Sequence, residues 1–118
     1  MNNLISKNHK IFIAGHNGMV GRAIYKSLKS KGYINLITIS RKDLDLTNFV
    51  EVEKFFNENN PEIVIIAAAK VGGISANTKY PVNFILDNMK IQNNLIELSH
   101  KFKIKRLLFL GSSCIYPK

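Results

Sequence analysis

The 118 residues carry 17 Lys and Arg against 8 Asp and Glu, a formal charge of +9, with 46% apolar and 21% charged side chains. That is room for one domain, 1–118, with a real core, and it excludes a disordered tail, a collagen-like repeat and a coiled coil. The lone Cys114 excludes a disulfide framework or a multi-cysteine metal site, so no metal is expected, and no apolar run approaches the roughly 20 residues of a membrane span.

In chain order, Lys10–Ala14 (KIFIA) predicts a first strand, meeting Gly15 at once. From Met19 to Lys31, Val20, Ala23, Ile24 and Leu28 recur at helical spacing, and Gly32 is placed to stop the helix. Ile34–Ile39 (INLITI) predicts a second strand, and Leu44–Leu46 a very short strand or extended loop. Phe49–Asn59 repeats Phe49, Val52, Phe55 and Phe56 on one helical face, with Asn48 or Thr47 as the cap. Ile63–Ala69 (IVIIAAA) does not alternate, which predicts a strand buried on both faces. Lys70–Tyr80 predicts a loop, and Pro81 suits the first turn of a helix running to about Phe102. Arg106–Leu110 (RLLFL) predicts a last strand, broken by Gly111. Strands alternating with helices at this spacing predict an α/β protein with a doubly wound parallel sheet.

The basic residues do not form a block. Lys26, Lys29 and Lys31 fall on one helix and its end, and Lys101, Lys103, Lys105 and Arg106 at the end of another, without interleaved aromatics. A solvated basic surface accounts for them, and no nucleic-acid partner is expected. A phosphate-bearing ligand would use part of that charge. The opening MNNLISKNHK has no apolar signal core, so a cytoplasmic setting without a membrane partner is expected.

Gly15-His16-Asn17-Gly18-Met19-Val20-Gly21 is a GxxGxxG run directly after a strand and opening a helix. A first glycine permits the tight turn, a second lets backbone approach a diphosphate, and a third lets the helix pack closely. The N–H groups that open the helix, at Met19 and Val20, then face the phosphates. No GxxxxGK[ST] occurs, which disfavours a P-loop nucleotidase. The second strand ends in Ile39-Ser40-Arg41-Lys42, with no acid before Asp43. An acid there bonds a ribose 2′-hydroxyl, whereas Arg41 suits a 2′-phosphate, so NADP(H) is favoured over NAD. Asp45 and Leu46 are placed to contact adenine, and the small Ala67, Ala68 and Ala69 to let the ribose lie on backbone. Ser112 and Cys114 follow the last strand, where ligands of doubly wound sheets sit. A serine there can bond a substrate carbonyl. Cys114 suits either proton transfer or a small buried apolar role.

Together FIAGHNGMVG, AAAKVGGISANTKYP and LLFLGSSCIYPK resemble the extended short-chain dehydrogenase/reductase superfamily, a Rossmann-type fold. Within it they look like the GDP-L-fucose synthase family, the epimerase-reductases that convert GDP-4-keto-6-deoxy-D-mannose to GDP-L-fucose. The resemblance implies NADP(H) at Gly15, Gly18 and Gly21, with Arg41 toward the 2′-phosphate. It implies Ser112 as the serine of a Ser-Tyr-Lys set and Cys114 as the proton-transfer residue of epimerisation. Lys70, Val71, Gly72 and Gly73 would border the GDP-sugar substrate, and the complete enzyme would be a homodimer. The family's Tyr-x-x-x-Lys lies beyond the serine strand. The one such spacing here, Tyr25 to Lys29, is on the first helix, and none of His9, His16 and His100 falls where the family's catalytic histidine does. The chain therefore reads as an N-terminal portion without the later strands and the substrate domain, from which turnover alone is not expected. Another NADP-dependent nucleotide-sugar epimerase or dehydratase, or a non-catalytic dinucleotide-binding module, are the alternatives.

Overall fold

A computed structural model describes residues 6–67 and 81–109, with side chains from Leu86 onward in the second stretch. The elements are β1 (Ile11–Ala14), α1 (Met19–Ser30), β2 (Leu36–Ile37), α2 (Phe49–Asn59), β3 (Ile63–Ile66), α3 (Pro81–Lys101) and β4 (Arg106–Phe109). All pairings are parallel, in the order β2-β1-β3-β4. Alternate residues of β1 and β3 point to opposite faces. Ile11, Ile13, Ile63 and Ile65 pack under α1 through Ile24, Tyr25 and Leu28. Phe12, Ala14, Val64 and Ile66 pack against Val52, Phe55 and Phe56 of α2 and Ile91, Leu95 and Leu98 of α3. Helices on both faces of a parallel sheet are the expected doubly wound arrangement. Phe12 anchors the larger core, its ring 4.9 Å from that of Phe55 and 6.0 Å, edge to face, from that of Phe56.

Local chemistry explains where the helices begin and end. Asn48 caps α2, its side chain accepting the Glu51 N–H at 3.2 Å while its own amide donates to the Glu51 carboxylate at 3.1 Å. This is a variant of the capping box, with an acid in the first turn where the helix dipole favours it. α1 ends as expected at Gly32, which takes φ +95°. Gly32 N–H donates to the Lys29 carbonyl and Tyr33 N–H to that of Leu28, a Schellman motif. α3 closes with the same two bonds, Lys103 N–H to His100 and Ile104 N–H to Ser99, but the left-handed residue is Lys103, at φ +54°. Asn60 ends α2 in the left-handed region too, at φ +48°.

Glu62 stitches the amino-terminal ends of three strands together. Its carboxylate accepts the Lys10 N–H at 2.9 Å and lies 3.7 Å from the Lys105 ammonium, while its carbonyl accepts the Lys105 N–H at 2.9 Å. The Lys10 amide lowers the Glu62 pKa below the ordinary carboxylate value. Partial burial opposes that shift, and His9, Lys105 and Lys10 add to it.

Two boundaries differ from expectation. β2 is two residues, not the six of Ile34–Ile39, because only Leu36 and Ile37 pair with β1. The Ile34 N–H instead meets the Lys7 carbonyl, and its side chain is 70% exposed. β-branched composition favours a pleated surface but does not supply the partner strand. Leu44–Leu46 is loop, one of the two forms expected there, with Leu44 and Leu46 buried. β3 ends at Ile66, with Ala68 and Ala69 outside the described residues, as is Leu110 after β4. Among the described residues no helix is long and apolar enough to cross a membrane, and no group of three or more His, Cys, Asp or Glu could hold a metal ion.

Replacing Lys103 with glycine should raise stability by about 0.5–1 kcal/mol in chemical unfolding, since an L residue is disfavoured in the left-handed region. A depressed carboxylate pKa contributes stability that is full above the unfolded value and lost as pH falls through the folded one. Stability of the chain should therefore decline below about pH 4.5, the ordinary value for this carboxyl. Glu62→Gln should flatten that part of the profile, which thermal melts between pH 3 and pH 7 would measure.

Candidate functional site

The order of the strands fixes where a ligand can lie. From β1 the chain goes outward to β2 and then crosses to β3 on the other side, so the crevice beyond the carboxyl ends of β1 and β3 is a switch point. The two strands stay paired to that rim, with the Ala67 N–H donating to the Ala14 carbonyl at 2.9 Å. The loop from Gly15 to Gly21 opens directly onto the crevice.

Each glycine of the loop has its own reason. Gly15 sits at φ +92°, where other residues are strained, and its carbonyl accepts the Gly18 N–H at 3.1 Å to close the turn. Gly18 is the extended N-cap of α1, and no side chain caps the helix. The first helical bond runs from Arg22 N–H to Gly18, at 2.8 Å, so the Met19, Val20 and Gly21 amides precede it. No acid lies in that first turn. Met19 is 90% exposed and Val20 53%, so the approach to these amides is open. A Cβ on Gly21 would stand 1.9 Å from the Gly15 carbonyl oxygen, a contact only glycine permits. An uncapped helix start with backbone donors and a positive dipole end can hold a diphosphate.

The remaining expected residues fall in two groups. Arg41 is exposed in a turn just past the end of β2. Asp45 accepts the Thr47 N–H at 3.0 Å and its hydroxyl at 2.7 Å through one carboxylate oxygen, and Leu46 is 8% exposed in the larger core. The Asp45 carboxylate and the Leu46 side chain therefore have structural work here. Ala67 is half-buried at the rim beside the glycine loop. Ala68, Ala69, Lys70, Val71, Gly72, Gly73, Ser112 and Cys114 lie outside the described residues.

Two supports went unnoticed in the sequence. The Arg22 guanidinium donates to the Asn17 carbonyl at 3.3 Å and braces the glycine loop. The Asn94 side chain donates to the Leu46 carbonyl at 2.9 Å and pins the segment after β2 to α3. The available signal was a polar Asn94 set within the inward stripe of Ile91, Leu95 and Leu98.

Comparison with known proteins agrees with this geometry. The NAD dependent epimerase/dehydratase family matches residues 11–118. The chain is 50% identical over all 118 residues to GDP-L-fucose synthase 1 of Arabidopsis thaliana, covering 36% of that protein. It is 49% identical over 92% of its length to the GDP-L-fucose synthase of Escherichia coli strain K12, covering 34% of it. The solved GDP-D-glycero-L-gluco-heptose synthase from Campylobacter jejuni, determined in the presence of NADPH, superposes with a TM-score of 0.90. There the identity is 41%, over 98% of this chain and 34% of that one. The chain thus spans about a third of the length of these relatives. With the family pattern running from the first strand to the last residue, the chain belongs to the NAD dependent epimerase/dehydratase family.

Proposed function

We propose that residues 1–118 are the NADP(H)-binding portion of an epimerase-reductase that converts GDP-4-keto-6-deoxy-D-mannose to GDP-L-fucose in the cytoplasm. The observation that carries this is the 50% identity to a GDP-L-fucose synthase along the entire chain, over a fold whose switch point presents an open helix start. The backbone at Gly15, Gly18, Met19, Val20 and Gly21 binds the diphosphate. Arg41 takes the 2′-phosphate, the backbone at Asp45 and Leu46 borders the adenine, and Ala67, Ala68 and Ala69 lie under the ribose. When bound, the reduced nicotinamide supplies the hydride that reduces the keto carbon. Ser112 holds the substrate carbonyl oxygen, which stabilises charge as it develops there. Cys114 moves protons at the carbons flanking that carbonyl, whose acidity the carbonyl provides. Lys70, Val71, Gly72 and Gly73 border the GDP-sugar. The complete enzyme is a homodimer in this reading, which is supported by the exposed apolar side chains of Leu86, Met89 and Ile96 along α3.

Titrating the purified chain with NADPH and NADH tests the cofactor assignment. NADPH should bind more tightly, and Gly21→Ala should weaken it at least tenfold, because the loop must shift away from the added Cβ. Equal affinity for the two dinucleotides would overturn the role of Arg41, and binding of neither would overturn the cofactor assignment. Grafting the chain in place of the matching third of the E. coli GDP-L-fucose synthase tests the rest. The chimera should form GDP-L-fucose, and Cys114→Ser should lower that rate by about a hundredfold or more, the usual scale of lost proton transfer. A chimera that binds NADPH but makes no GDP-L-fucose would defeat the substrate assignment.

A further inference from the structure

The turn after β2 holds a cation that the cofactor assignment leaves unused. The Ser40 carbonyl accepts the N–H groups of Asp43 and Leu44, each at 3.0 Å. Arg41 and Lys42 are thereby the two central residues of a closed turn, and both are exposed. The Ser40 hydroxyl donates to Asp43 Oδ2 at 3.1 Å, so the turn's own acid is engaged within it. Asp45, two residues on, is engaged by Thr47. Among the described residues, neither Arg41 nor Lys42 has a hydrogen-bond or ion-pair partner.

This turn is firmly anchored on both sides. Ile39 packs on the larger core before it, Leu44 and Leu46 enter that core after it, and Asn94 holds the Leu46 carbonyl. The backbone bearing two adjacent positive charges is thus held past the carboxyl end of β2, the strand paired with β1, whose own end carries the glycine loop. In doubly wound sheets the adenosine ribose lies over this strand end.

We propose that Lys42 is a second cationic ligand of the ribose 2′-phosphate, acting beside Arg41, and that the Ser40–Asp43 hydrogen bond keeps the turn's acid from opposing it. The two cations complement each other. Arginine offers a planar fork that can bond two phosphate oxygens at once, and lysine a mobile point charge. An acid presented at this strand end would select the 2′-hydroxyl of NAD, so tying Asp43 to Ser40 removes the competing signal. The proposal rests on the cofactor assignment above and extends it to a residue that assignment does not use.

The test compares NADPH, NADH and 2′,5′-ADP on the unsubstituted chain, Lys42→Gln, Lys42→Arg and Ser40→Ala. Lys42→Gln should weaken NADPH and 2′,5′-ADP by about tenfold, the scale of a lost charge-assisted contact, and leave NADH within about twofold. Lys42→Arg should restore most of the loss. Ser40→Ala should lower the ratio of NADPH to NADH affinity by a few fold, because it frees the Asp43 carboxylate. If Lys42→Gln leaves NADPH affinity unchanged, or weakens both dinucleotides equally, the role of Lys42 is wrong while NADPH binding by the unsubstituted chain still supports the cofactor assignment. If the unsubstituted chain binds neither dinucleotide, both fall.

Discussion

Where α1 leaves the glycine loop, the backbone at Gly21 lies so close to the Gly15 carbonyl that a single methyl group would stand 1.9 Å from its oxygen. That contact sets the depth at which the helix seats on the end of β1. The seating in turn decides which apolar residues of α1 reach Ile11, Ile13, Ile63 and Ile65, and aims the helix start at the crevice beyond the strands. The site and one half of the packing are therefore consequences of the same close approach. A side chain at this position would tilt the helix and disturb both together.

The other face of the sheet is built differently. Two helices, α2 and α3, share it, and their apolar residues close over Phe12, whose ring meets Phe55 and Phe56. An ion pair between Lys101 and Glu53 joins the two helices at the rim of this layer. The segment after β2 is drawn into it through Leu44 and Leu46, so the end of β2 is positioned by a core remote from the glycine loop. The glycine loop and the turn after β2 thus hang from opposite faces of one sheet, with β1 as their common reference.

Much of this was legible in the sequence, because the strongest signals were local. The glycine spacing, Gly32 after α1 and Asn48 before α2 each dictate a backbone geometry by their own chemistry, and each stands where that chemistry requires. The apolar run of β3 was legible for a related reason, since residues buried on both faces cannot alternate. What escaped detection depends on partners distant in the chain. The shortness of β2 depends on how far β1 runs beside it, the burial of Leu46 on α3, and the bond from Asn94 on a carbonyl 48 residues away. Lys103 in a left-handed cap was equally invisible, because tertiary packing of Ile104 and Phe102 holds a residue that propensity would not choose.

The left-handed residues Gly32, Asn60 and Lys103 have a joint consequence. Each follows a helix and turns the chain back toward the next strand, and all three lie at the pole opposite the glycine loop, beside Glu62 and its strand ends. Among the described residues, the strained non-glycine positions, Asn60 and Lys103, are thus confined to the pole away from the glycine loop. One pole can drift in sequence and set how durable the protein is at its working temperature. At the other pole Gly21 ties the loop to the packing beneath α1, so a change there reaches the loop and the core together.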